Sequence, residues 1–229
     1  TEGDTLADPT IRIDYDVHRW QTSSGTQPVV VHTTSRERHG QTNTRWNDLY
    51  VYTDGFGRDV MKKGRAEPGP IPALGIALAD PRWVGTGRVV FDNKGNPIKK
   101  FEPYFSTTSD YESDTAVVQQ GVTPLFHYDP LGRLTRTDYP DGTVTKVIFD
   151  GWRQASWDQN DAVQGSAWLA RMQVGTAAQI RAATLTLAHA NTPTVSHLDP
   201  LGRVFLTIAD AGPAGLRPSR VDLDIQNNA

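Results

Sequence analysis

Asp158-Gln159-Asn160-Asp161-Ala162 is the stretch that comes nearest to a metal-binding spacing. A calcium loop begins with oxygen-bearing side chains at alternate positions, because alternate residues turn their carboxylates or amides toward one centre. Ala162 stands where the third oxygen belongs, so a turn or helix cap is the better reading. The six histidines (18, 32, 39, 127, 189 and 197) show neither His-x-His nor His-Glu-x-x-His spacing, the patterns zinc would use. Gly85-Thr86-Gly87 opens like a dinucleotide fingerprint. Val90 replaces its third glycine, however, and the stretch runs into a strand rather than a helix. No Gly-x-Ser-x-Gly elbow exists. Carboxylate pairs for glycoside chemistry meet only in a fold, and no local pattern marks any of the 26 acids. The expectation is a non-enzymatic chain with no catalytic, cofactor or metal site.

The composition removes further classes. There is no cysteine, hence no disulfide, zinc-thiolate or thiol chemistry, and the compartment is left open. The net charge is −3 and no basic stripe stands out, which argues against nucleic acid. Arg36-Glu37-Arg38-His39 carries its own acid. No apolar run approaches the roughly 18 residues of a membrane span, and no signal-peptide pattern opens the chain. The chain is expected to be an internal piece of a longer polypeptide. Its 229 residues can bury a core, and 20 glycines with 15 prolines suit many short strands.

What recurs is a turn. In Asp129-Pro130-Leu131-Gly132-Arg133, Asp suits the first position of a type I turn and Pro pre-sets φ at the second. Gly132 then takes the left-handed conformation. Tyr139-Pro140-Asp141-Gly142 repeats the device. Phe149-Asp150 stands where Tyr128-Asp129 stood, 149 − 128 = 21 residues on, which fits two strands and two turns. Three more copies follow the kernel of aromatic or Leu, Asp, two residues, Gly, then Arg or Asn. They are Tyr52, Asp54, Gly57 and Arg58 (one residue inserted after the aromatic), Phe91, Asp92 and Gly95, and Leu198, Asp199, Gly202 and Arg203. Gly132 and Gly202 are both expected at positive φ.

The elements around these turns read as mainly β. Strands are expected at Ile11 to Trp20, Pro28 to Thr34, Trp46 to Thr53, Arg58 to Lys63, Val89 to Asp92, Ile98 to Phe105, Leu134 to Asp138, Thr143 to Phe149, Trp152 to Trp157, Val195 to Ala209 and Val221 to Ile225. Residues 64–82, with four prolines, read as a long loop, and 106–120 as an acidic connection with room for a short helix. Residues 158–190 read as a small helical insert. One helix is expected within Gly165 to Val174. A second is opened by a Thr176–Gln179 capping box, runs to Ala190, and carries an apolar stripe of Ile180, Ala183 and Leu187. Trp152 and Trp157 flank turns and are expected to pack.

The aromatic-Asp-x-x-Gly-Arg unit resembles the YD or Rhs repeats of bacterial shell-forming proteins. Four longer stretches resemble one family, the B component of bacterial insecticidal toxin complexes (Tc toxins). They are VYTDGFGRDVMKK (51–63), PRWVGTGRVVFDNKGNPIKKFEPYFS (81–106), GVTPLFHYDPLGRLTRTDYPDGTVTKVIFDGWRQASWDQND (121–161) and HANTPTVSHLDPLGRVFLTIAD (189–210). The resemblance implies antiparallel hairpins forming part of a hollow β-shell, with residues 1–229 as one partial segment. It implies a secreted complex in which a C component completes the shell around a cytotoxic polypeptide. The A component would engage parts absent from this chain. That family's self-cleaving aspartyl site belongs to the C component and uses a much closer pair of Asp-Pro-x-Gly motifs. Asp129 and Asp199 are 70 residues apart and do not inherit it. The alternative is a YD-repeat carbohydrate-binding or adhesion module, with tryptophans as sugar platforms.

Overall fold

The computed structural model describes residues 4–38, 41, 44–112, 121 and 123–226. They fold as antiparallel β-sheets not closed into a barrel, with a small helical insert. By contact the chain divides into two compact units. One comprises residues 1–92 and 99–123, the other 93–98 and 124–229.

The first unit is built on a six-stranded sheet of order β1-β2-β3-β4-β7-β10. Its strands are β1 (Ile11–Asp16), β2 (Val29–Arg36), β3 (Trp46–Thr53), β4 (Asp59–Ala66), β7 (Arg82–Thr86) and β10 (Tyr104–Ser106). β1 ends at Asp16 and the chain turns through a four-residue helix, α1 (Arg19–Thr22), so the strand expected to reach Trp20 is shorter. Every residue of β1 is exposed, as befits an edge. The central strands carry the core: Val30, Tyr52, Val60 and Met61 pack with Phe101 and Tyr104. Residues 67–80 are not the long loop their prolines predict. They form a hairpin of β5 (Gly69–Ile71) and β6 (Ile76–Ala79) around a 3-10 turn at Pro72–Leu74. Pro72 begins that turn, where its missing N–H costs nothing, and Ile71 and Ala79 are buried.

A strap of residues 106–112 is pinned to this unit by polar contacts that no local pattern announces. Tyr52 Oη donates to the Ser109 carbonyl (2.5 Å), and Gln27 exchanges two bonds with the Tyr111 backbone. Lys63 is wholly buried, its Nζ 2.5 Å from Glu112 Oε2 and 3.1 Å from the Thr108 carbonyl. Burial pushes the Lys63 ammonium below its usual pKa, against the opposing pull of Glu112. Most of the connection at 106–120, including any short helix, lies outside the described residues.

The second sheet has nine strands in the order β17-β16-β15-β14-β13-β12-β11-β9-β8. They are β8 (Val89–Phe91), β9 (Pro97–Lys100), β11 (Leu125–Tyr128), β12 (Leu134–Asp138), β13 (Val144–Phe149), β14 (Arg153–Trp157), β15 (Thr194–Leu198), β16 (Val204–Asp210) and β17 (Leu216–Arg220). Two expectations fail here. Ile98 to Phe105 is not one strand, since β9 ends at Lys100 and β10, beyond Pro103, pairs with β7 in the other sheet. Proline has no N–H to continue a ladder. The last strand lies at Leu216–Arg220, not Val221 to Ile225, because a tight turn at Gly212–Ala214 brings Leu216 opposite Asp210.

Between β14 and β15 lies the insert, with helices α2 (Ala167–Gln173) and α3 (Ala177–Leu187). Ser166 Oγ caps the first by accepting the Leu169 N–H, and Thr176 with Gln179 forms the expected capping box on the second. Val163, Leu169 and Ala183 are buried together, and Leu187 packs against them. Ile180, counted into the same stripe, is instead exposed. The insert sits on the β12–β13 turn. The Trp168 N–H donates to the Gly142 carbonyl (3.1 Å), and an Arg171 guanidinium N–H donates to the Asp141 carbonyl (2.7 Å). A Cβ on Gly142 would fall 2.9 Å from the Trp168 nitrogen, so only glycine permits this approach. No helix among the described residues is long and apolar enough to cross a membrane.

The buried lysine gives the first prediction. Glu112→Ala leaves a cation without its counter-charge and is expected to destabilise the first unit by about 3–5 kcal/mol. The pair Lys63→Met with Glu112→Leu should recover most of that. Urea unfolding followed by tryptophan fluorescence measures both.

Candidate functional site: the repeated Asp–Arg turn

Three turns, at Asp54–Arg58, Asp129–Arg133 and Asp199–Arg203, share one hydrogen-bond set. In each, the Asp N–H donates to the Arg carbonyl and the Gly N–H donates to the Asp carbonyl, all at 2.9–3.0 Å. One carboxylate oxygen, Oδ1, accepts two backbone N–H groups. The donors are Phe56 and Arg58, Leu131 and Arg133, and Leu201 and Arg203, all at 2.9–3.0 Å. The other oxygen, Oδ2, accepts the Arg Nε at 2.7 Å in all three. The glycines lie at φ of +76°, +81° and +76° for Gly57, Gly132 and Gly202. Side chains with a Cβ rarely adopt this conformation.

The strand after each turn also carries one extra residue, Val60, Thr135 or Phe205. Register shifts fall between Tyr52 and Thr53, His127 and Tyr128, and His197 and Leu198. Thr53 therefore occupies the position of Tyr128 and Leu198. The reading of Tyr52 as the repeat aromatic with a residue inserted after it is corrected: nothing is inserted, and Tyr52 corresponds to His127 and His197. Tyr52 faces inward because its own strand closes the core.

The remaining copies are variants. Gly95, after Phe91-Asp92, has φ +88°, with Asn96 in the arginine position beside Gly132. Asp150 closes a loop one residue shorter, its N–H donating to the Arg153 carbonyl (2.8 Å) and its Oδ2 accepting Arg153 Nε (3.0 Å). At Tyr139–Gly142 the backbone bonds recur with Tyr139 in the Asp place and Gly142 at φ +82°. There the carboxylate of Asp141 accepts the Thr143 N–H and hydroxyl.

Electrostatics follow from these donors. For Asp129 and Asp199 the backbone N–H of the turn arginine is the largest influence. With the guanidinium, it holds each carboxyl below the usual carboxylate range. For Asp54, burial pushes the pKa up but is outweighed by Arg58 and two backbone N–H groups, so the net shift is down. Each acid thus has both carboxylate oxygens engaged by its own turn.

Sequence reasoning missed where the aligned arginines point. Arg58 lies over the ring of Phe91, 4.1 Å from its centroid, and Arg133 over Phe149 at 4.3 Å. In both cases the arginine of one unit meets the aromatic of the next. The signal was present in the alternation of the two residue types along the chain, although spacing alone gives no direction. Neighbouring turns also touch through Lys94 Nζ, which donates to the Pro130 carbonyl (2.7 Å), and Tyr128 Oη, which donates to that of Pro97 (2.9 Å).

The other residues singled out for chemistry have local tasks. Asp158 Oδ1 accepts the N–H groups of Asn160 and Asp161, as a turn does. Among the described residues no group of three His, Asp or Glu side chains could hold a metal. His127 Nε2 lies 2.7 Å from Asp138 Oδ2, and His32 Nε2 lies 2.8 Å from Asp48 Oδ1 with its ring stacked on Tyr50. Trp157 packs beneath Lys146 and donates to Asn191 Oδ1 (3.2 Å). Trp152 does not pack, contrary to expectation. It stays 63% exposed at the tip of its loop.

No family model matches the sequence and no curated protein matches it. Solved structures do. A crystal structure of TcdB2-TccC3 matches 99% of this chain at 23% identity and a TM-score of 0.75, over 11% of its own length. The Photorhabdus luminescens Tc holotoxin pore matches 92% at 23% identity and a TM-score of 0.70, over 10% of its length. TcdB2-TccC3 without its hypervariable C-terminal region matches 92% at 24% identity, also at 0.70. The chain thus has the fold of a segment of these Tc toxin chains and spans about a tenth of their length.

Two predictions come from the turn. Gly202→Val should cost about 1–3 kcal/mol in backbone strain. Gly151→Ala should be near neutral, since a Cβ there meets nothing within 4 Å; thermal unfolding of both variants checks this. The pH dependence follows from the lowered carboxyls. A depressed acid contributes stability that is fully present above its unfolded pKa, about 4, and lost as the pH falls through its folded one. The melting temperature should therefore lose no turn contribution between neutral pH and about pH 5, then fall as the turn carboxylates protonate below about pH 4.

Proposed function

We propose that this chain is a wall segment of a toxin-encapsulating β-shell of the Tc type. In this reading it has no activity of its own. It is part of a secreted complex in which a partner C component completes the shell around a cytotoxic polypeptide. The A component, as translocation pore, engages regions outside these residues. The supporting observation is the fold match to TcdB2-TccC3, which runs through nearly the whole chain. The physics is compatible. Neighbouring turns in the second unit are tied to one another, so a sheet of such hairpins can extend without depending on one large core.

The test is electron microscopy of the full natural polypeptide, co-expressed with its neighbouring gene product. A hollow particle with protease-resistant density inside is the expected result. A solid or filamentous particle, or one that turns over an ester, peptide or glycoside substrate, would contradict the reading.

A further inference from the structure

The sequence contains three Asp-Gly pairs, at 54–55, 141–142 and 150–151. Such a pair can rearrange unaided, because glycine sets an unhindered amide nitrogen beside a carboxyl group. In the complete turns Oδ1 is drawn forward to the N–H groups two and four residues on. At Asp129 and Asp199 the next residue is moreover proline, which has no N–H. Asp54 follows the same rule, its Oδ1 accepting from Phe56 and Arg58 rather than from Gly55. Asp141 Oδ1 is taken by the Thr143 N–H and hydroxyl, while the insert holds the carbonyls of Asp141 and Gly142. The Asp150 loop is one residue shorter, and its carboxylate lies differently. There Oδ1 accepts the adjacent Gly151 N–H at 2.5 Å, and Oδ2 accepts Arg153 Nε at 3.0 Å. The carboxyl is thus held against the next amide nitrogen, in a loop where Asp150 and Gly151 are both exposed.

We propose that Asp150–Gly151 is a site of aspartate isomerisation, selected by the fold over the other two pairs. The Gly151 nitrogen attacks Asp150 Cγ, and the new N–Cγ bond closes a five-membered imide. One carboxyl oxygen leaves as water, with the amide proton and a proton from solvent. Water then adds to the main-chain carbonyl carbon of Asp150 and breaks its bond to nitrogen. The chain now runs through Cγ, as isoaspartate; addition at Cγ instead restores aspartate. Solvent water is the one co-reactant. Contact between the reacting groups is what speeds an intramolecular step, and the grip of Arg153 on Oδ2 maintains it. Isoaspartate lengthens the loop backbone by one carbon, beside the Trp152 carbonyl that accepts the Leu198 N–H at 2.8 Å. The inference goes beyond the shell reading and does not require it.

The test incubates the folded chain, warm and at neutral pH, in water carrying heavy oxygen. Peptides are then mapped by mass spectrometry and by an Asp-specific protease, which does not cleave at isoaspartate. Heavy oxygen and isoaspartate should accumulate at Asp150 while Asp54 and Asp141 stay at background. Gly151→Ala should lose the label at Asp150. A methyl on the attacking residue hinders ring closure, although beyond its chain neighbours it meets nothing within 4 Å. In guanidinium chloride the three sites should label to a similar extent, since their turns are then gone. Labelling of Asp54 or Asp141 that keeps pace with Asp150 in the folded chain would overturn the proposal. So would an unlabelled Asp150, an unaffected Gly151→Ala variant, or a preference for Asp150 that persists in the denaturant.

Discussion

The carboxylate of Asp54, Asp129 and Asp199 divides its two oxygens between two tasks, and the repeat depends on that division. Oδ1 gathers two backbone N–H groups and so fixes the path of the turn. Oδ2 grips the arginine Nε and so fixes a long side chain that would otherwise sample many rotamers. With the guanidinium aligned at Arg58 and Arg133, its face lies over the aromatic that opens the next unit. A local turn thereby reaches its neighbour in sequence. Glycine at positive φ makes the geometry possible, and one extra residue in the strand after each turn shifts the register of the hairpin.

Around this repeated device the two units are finished differently. The first buries a compact aromatic and aliphatic cluster and straps it with residues 106–112, using Tyr52, Gln27 and the buried Lys63. Among the described residues of the second, no comparable cluster lies beneath the sheet; the buried apolar side chains sit in the helical insert, seated on the Gly142 turn. Neither the strap nor the seating is a repeat feature. Both bring together residues far apart in sequence.

That difference explains what was legible in the sequence. Turn chemistry is local, so Asp-Pro-Leu-Gly-Arg announced its own geometry, and the Thr176–Gln179 box announced a helix start. The left-handed glycines at Gly132 and Gly202 followed from that motif. What failed depended on distant partners. Phe105 looked continuous with Ile98 because nothing nearby shows that β10 pairs with β7. Val221 to Ile225 has strand composition, yet the ladder is taken by Leu216–Arg220, and Arg203 instead reaches the Asp224 carbonyl. Nothing local marks Lys63 for burial, which depends on Glu112 and the Thr108 carbonyl, more than 40 residues away. Tyr52 was placed in the motif by its ring, whereas register gives that position to Thr53.

The central claim is that aspartate and arginine act as one unit within each turn. A double-mutant cycle at Asp54 and Arg58, with each replaced by Ala singly and together, tests it by equilibrium unfolding. The account predicts a coupling of at least about 0.5 kcal/mol, because losing either partner releases the other. Effects that add to within about 0.3 kcal/mol would show two independent contacts and contradict the account.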